Sequence, residues 1–238
     1  MKPTDQTLMK QMHISIEEIE YRRSLLSLSH QELEQLVDLG EQIDLEYLLD
    51  QVVITFFQQQ TSISEIASLI GDIDTLSRLQ HAQRQYLVEL FSGNYDANYV
   101  NNRLRIGLVH KRIGVEPKLY LSAVYHLKIM LISMIQQQLG DTENFHQIRS
   151  TLEKLFMFDI SLVVETYVWS LVRELKASKE KIEQYASVLE DRAQQMEALS
   201  QTDPLTGLLN VRHLNRILNS TIYAAERSLE PVTVVFID

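Results

Sequence analysis

The residue best placed to do chemistry is His110, in the stretch RIGLVHKRIGVEPKLYLSAVY. Ile106, Val109 and Ile113 lie one helical turn or less from it, so its imidazole projects from an apolar helix face. Gly114 is placed to end that helix and Pro117 to begin the next. A neutral imidazole in such surroundings can coordinate haem iron through one ring nitrogen while a hydrogen bond to the other fixes its orientation. The same spacing suits a core histidine satisfied by a backbone carbonyl, so both readings stand open at this point.

The remaining histidines offer less. His13 and His30 sit in polar contexts near the N-terminus, and His126, His146 and His213 have no partner set at helical spacing. No His-x-x-x-His pair, glycine-rich phosphate loop or arguable Ser/His/Asp set occurs. With no cysteine in 238 residues, disulfides, thiolate metal sites and thiol nucleophiles are excluded. A net charge of −10 argues against a basic face that would grip nucleic acid. Neither a signal-peptide pattern nor an 18-residue apolar run is read, so the expectation is a cytoplasmic protein with no membrane partner.

The elements that must position His110 follow from the scarcity of breakers. Hydrophobic residues make up 45% of the chain against only seven Gly and four Pro, which favours long helices around a substantial core. Ser15 with Glu18, and Ser29 with Glu32, are capping-box patterns. Gly40 is expected to close the helix begun at Ser29. Further helices are expected over 45–60, from about 73 to Gly93, over 96–113, and from Pro117 to Gly140. From Glu143 to Gln201 there is neither Gly nor Pro, which predicts one very long helix or two nearly collinear ones. After residue 175 its apolar groups thin to Leu175, Ile182, Tyr185, Leu189, Met196 and Leu199, broken by Arg192. That narrow stripe suits a two-helix seam, with a solvated amphipathic helix as the alternative.

The last stretch that could carry chemistry is DPLTGLLN, Asp203 to Asn210. Pro204 stops a helix, Gly207 permits an unusual dihedral and Asn210 can cap the helix that follows. VTVVFID then reads as a buried strand, with Asp238 at its C-terminal end, where α/β sheets place ligands.

Two resemblances attach to these residues. His110, Ile113, Gly114, Pro117 and Tyr120 resemble the proximal region of globin-coupled sensors, and helix order extends the likeness over roughly residues 15–175. The resemblance implies an all-α sensor globin holding haem b, with His110 as proximal ligand, Tyr120 beside it and an open site for a diatomic gas (O2, NO or CO). Many members carry a Phe-Tyr pair on the distal side; here the pair is Phe56-Phe57, so Phe57 offers no hydroxyl. Leu79 matches a pocket-lining apolar position, and His81 and Tyr86 lie on the helix expected to cover that side.

Asp203, Leu205, Thr206, Gly207, Leu208 and Asn210 resemble the opening motif of GGDEF domains, the fold of diguanylate cyclases, although Val211 stands where the family usually has Arg. This implies the truncated beginning of an α/β domain that binds GTP and Mg2+, with Asp238 as a first Mg2+ ligand in the complete enzyme. The GGDEF signature itself is absent from the sequence, so a fragment unable to make cyclic di-GMP is expected. The expected organisation is a loose N-terminus (1–14), a sensor globin (15–175), a coiled-coil signalling helix that makes a homodimer (176–202) and a GGDEF fragment (203–238). The competing expectation is a haem-free globin-like interaction module.

Overall fold

The computed structural model describes residues 7–235 and residue 237. Its helices are α1 (Leu8–Gln11), α2 (Ile16–Leu25), α3 (His30–Gln42), α4 (Leu45–Thr61), α5 (Ser64–Ile70), α6 (Ile73–Leu90), α7 (Ala97–Arg112), α8 (Pro117–Leu139), α9 (Glu143–Gln201) and α10 (Val211–Ser228). Of the described residues, those up to Arg173 form one compact unit and those from Glu174 onward another.

Capping chemistry sets many of these boundaries. Ser29 accepts from the Glu32 amide while the Glu32 carboxylate accepts from the Ser29 amide, a complete capping box. Asp44, Asp72 and Asp96 each accept a backbone N–H one turn ahead and start α4, α6 and α7. Pro117 opens α8, and Gly140 closes it at φ 69°, a dihedral that favours glycine. Gly40 does not end α3, which continues to Gln42. A mid-helix glycine costs only about 1 kcal/mol, and the buried stripe Leu33, Leu36 and Leu39 offsets it. Helix α5 was not expected; at seven residues it is too short to show a clear apolar period.

The first unit is a layered helical bundle whose core draws on α2, α3, α4, α6, α7, α8 and the first half of α9. The expected loose N-terminus is instead docked from residue 7 onward. Met9 and Ile14 are buried, and the Met9 amide donates to Asn101 Oδ1 on α7 at 3.1 Å. Helices α8 and Glu143–Glu197 of α9 are long and apolar enough to cross a membrane by length and composition. Part of that character serves the bundle: Leu127, Leu131 and Ile135 of α8, and Phe145, Ile148 and Leu152 of α9, are core residues.

Helix α7 crosses α9 at Gly107. A Cβ there would stand 2.7 Å from the Val163 carbonyl oxygen and 2.8 Å from Thr166 Cβ, so only glycine lets the two backbones approach this closely. The helix carrying His110 is thereby seated directly on the helix that leaves the unit.

In the second unit, the turn at 203–210 is held by Asp203, whose Oδ1 accepts from the Leu205 and Thr206 amides at 3.1 and 2.9 Å. Gly207 takes φ 70°, Thr202 and Leu209 form an isolated antiparallel bridge, and Asn210 caps α10 through the His213 amide. Asp203 is therefore a turn-former, its acidity increased by those amide hydrogen bonds. No β-strand occurs among the described residues; 232–235, expected as part of one, lack a ladder. A strand needs a neighbour to take its backbone hydrogen bonds, and the described chain supplies none. Asp238, the expected metal ligand, lies outside the described residues.

Candidate functional site

A cavity of about 230 Å³ opens between α4, α5, α6, α7 and α8. Its walls are mostly aliphatic and aromatic, and His110 lies in the α7 wall. The placement of His110 follows from helix phase. Tyr99, Val100, Arg103, Leu104 and Gly107 form the buried stripe of α7, and His110 is one turn beyond Gly107. Ile106 and Ile113 line the cavity beside it, whereas Val109 turns outward and is exposed.

His110 is half-buried because it borders the cavity, and its Nδ1 is sealed from solvent with no hydrogen-bond partner among the described residues. Burial lowers its pKa from 6.5 to about 4, because a cation there would lose hydration with no counter-charge to replace it. The ring is neutral at physiological pH and keeps a lone pair for coordination. Tyr120 on α8 packs against it, ring centroids 5.5 Å apart. Tyr120 in turn packs with Val163 and Tyr167 of α9, and Tyr167 Oη donates to the Val115 carbonyl at 2.9 Å. The loop that follows His110 is thus tied to α9.

This titration has a measurable consequence. Between pH 6.5 and about 4 the unfolded chain protonates His110 and the folded chain does not, so stability falls as pH drops through that window. At about 1.4 kcal/mol per pKa unit the loss approaches about 3 kcal/mol. Denaturant titrations of ligand-free protein across the window should show this slope, and His110→Leu should flatten it.

The structure gathers most of the expected site residues at the cavity. Phe56 and Phe57 line it, packed edge to face with centroids 5.3 Å apart, and so do Leu79, Tyr86 and Tyr120. His81 does not: it is exposed and absent from the walls. Helix phase explains this correction. Leu79, Ala82, Gln83 and Tyr86 share one face of α6, and a residue two positions after Leu79 points nearly the opposite way. Tyr86 contributes its ring, while its hydroxyl donates to Asp159 Oδ2 on α9 at 3.0 Å.

That carboxylate is the centre of a buried cluster that spacing alone gave no hint of. Asp159 Oδ2 also accepts from Tyr99 Oη and from Arg103 Nε, each at 3.0 Å. The Arg103 guanidinium lies over the Tyr99 and Tyr86 rings, 3.8 and 4.4 Å from their centroids, and pairs with Glu89. Burial raises the Asp159 pKa, opposed by the Arg103 charge and the tyrosine donors. Sequence reading also passed over Gln60 and Gln83, both in the cavity wall. Their signal was periodicity: Gln60 is three residues after Phe57 and Gln83 four after Leu79.

Comparison with known proteins bears on the fold and family of the first unit. The Protoglobin family model matches residues 15–173. A curated relative, the "Heme-based aerotactic transducer HemAT" of Halobacterium salinarum, is 26% identical over 176 residues. That match covers 68% of this chain and 36% of the relative, so the chain spans about a third of that protein's length. Among solved structures, the globin domain of a Geobacter sulfurreducens globin-coupled sensor superimposes with a TM-score of 0.58 at 23% identity. It covers 65% of this chain and 98% of that domain, a likeness of fold. With the family model spanning nearly all of the first helical unit, the chain belongs to the Protoglobin family.

Proposed function

We propose that this chain is the sensory part of a haem-based gas receptor, with His110 as the axial ligand of a b-type haem seated in the cavity. The observation that carries this reading is a neutral, partly buried imidazole, unpaired at Nδ1, in a cavity otherwise walled mainly by apolar groups. A histidine with no structural partner there is costly unless a ligand uses it. The residues present fit the group: His110 offers nitrogen, Phe57, Leu79 and Ile106 offer an apolar bed, and Tyr120 braces the imidazole. The haem would supply iron with an open position for O2, NO or CO. The halobacterial relative, a haem-based aerotactic transducer, supports the same chemistry. An absorption spectrum of purified protein, reconstituted with haem and recorded with and without CO, tests the proposal. A Soret band that shifts on adding CO is the expected result; no band after reconstitution would end it.

The output half of the reading rests on sequence and local structure. Gly107 and Tyr167 couple the His110 helix and its following loop to α9, the route by which a change at the cavity would leave the unit. The opening motif at 203–210 supports a GGDEF diguanylate cyclase as the cytoplasmic output of the whole protein, using GTP and Mg2+. The present chain lacks the signature residues and is proposed to be inactive alone.

A homodimer through the C-terminal part of α9 belongs to the same proposal. Leu175, Ile182, Leu189 and Met196 recur every seven residues, and with Tyr185 they are 64–72% exposed. Sedimentation should give twice the chain mass at micromolar concentration. Ile182→Asp with Leu189→Asp should halve it; an unchanged dimer would place the seam elsewhere.

A further inference from the structure

We propose that the amides of Gln60 and Gln83 form the hydrogen-bonding part of the cavity wall and favour a diatomic ligand that accepts hydrogen bonds, dioxygen, over one that accepts them poorly, carbon monoxide. The inference rests on the haem reading above. It answers the loss of a hydroxyl at Phe57 without calling on His81, which lies outside the cavity.

Polar side chains in the cavity wall belong to Gln60, Gln83, Tyr86, His110 and Tyr120. The Tyr86 hydroxyl is committed to Asp159 at 3.0 Å. His110 and Tyr120 pack ring against ring on α7 and α8, which in the haem reading puts both on the coordinating side. Gln60 and Gln83 remain, on α4 and α6, the helices that carry Phe57 and Leu79.

Gln60 is only 3% exposed, yet its amide makes no hydrogen bond to another described residue. Nor does either amide belong to the sealed, unbonded polar atoms, which are on Arg23, Arg103, His110 and Asp159. Gln60 is a wall residue of the cavity, so its side chain borders that space. A buried amide without a partner is destabilising, and each carries two N–H donors that an acceptor in the cavity would satisfy. Dioxygen draws electron density from an electron-rich site and becomes such an acceptor; carbon monoxide does so far less. Gln60 lies one turn from Phe57 and Gln83 one turn from Leu79, so the donors flank the two apolar groups that offer none.

The test uses haem-loaded full chain carrying Gln60→Leu, Gln83→Leu or both, with circular dichroism to confirm the fold. Leucine is close in volume to glutamine and suits an apolar wall, so folding is expected to persist. Two readouts are needed: the dioxygen dissociation rate and the infrared C–O stretching frequency of the carbon monoxide complex. The double variant should release dioxygen about three- to tenfold faster per hydrogen bond lost. Its C–O stretch should move to higher wavenumber while carbon monoxide dissociation stays nearly constant. A single variant that reproduces the whole change supports the proposal and assigns the donor. Should the double variant lose haem, the two single variants are judged by the same criteria. Wild-type dissociation and stretch in the variants, with a normal Soret band, would overturn the glutamine assignment and leave the haem reading intact. A wild-type chain that takes up no haem would instead overturn the haem reading.

Discussion

His110→Ala is expected to abolish stable haem uptake and leave the helical far-ultraviolet signature unchanged. The imidazole is the wall group best suited to axial coordination: Tyr86 is bonded to Asp159, and burial raises the pKa of both wall phenols, Tyr86 and Tyr120, which disfavours the phenolate that would bind iron. Loss of an outer-shell partner typically lowers metal affinity about 10–100-fold, so removing the ligand itself should cost more. The fold has no comparable stake in His110. Its Nδ1 has no partner, so truncation breaks no hydrogen bond there and relieves a desolvated polar group. Free imidazole added to the Ala variant should occupy the vacated space and restore a Soret band. A variant that keeps wild-type haem affinity without added imidazole would show that another residue holds the iron.

Asp159→Ala is expected to produce the largest loss of stability among single substitutions near the site. Asp159 and Arg103 are each 1% exposed, and the Asp159 Oδ2 atom accepts three donors from α6 and α7. Removing the carboxylate leaves a buried guanidinium with Glu89 and two aromatic faces as its remaining company. Breaking a buried pair in this way costs about 3–5 kcal/mol. For a chain of this size that is a Tm decrease of about 6–20 °C. Replacing both partners, as Arg103→Met with Asp159→Leu, should recover much of the loss, because an apolar pair leaves no uncompensated charge. Calorimetry of the single and double variants measures the difference. A single variant as stable as the wild type would show that the charges contribute nothing to holding α6, α7 and α9 together.

Local chemistry made much of the helical scaffold readable. Ser29 with Glu32, Pro117 and Gly140 each act within one turn of their own position, so their effect is written in adjacent residues. Gly40 misled for the same reason: its local preference to end a helix was outweighed by Leu36 and Leu39 packing into the core. The segment that holds α1 reads as a loose terminus, yet it is fixed by a bond from Met9 to Asn101, 92 residues away. His81 lies near the right residues in sequence but is turned out by helix phase.

By itself, then, the sequence determined the all-α scaffold, the apolar surroundings of His110 and the long helix that follows, because periodicity and capping act over a few residues. The tertiary structure alone decided the cavity, since empty space belongs to several helices together and to no segment of chain. It also decided the contacts that span long separations: Asp159 with Arg103, 56 residues apart, Tyr167 with Val115, and Gly107 against Val163. The same holds for Gln60 and Gln83. Each reads as an ordinary polar helix residue until packing sets it in the wall of the cavity that His110 also lines, Gln60 buried and Gln83 partly so.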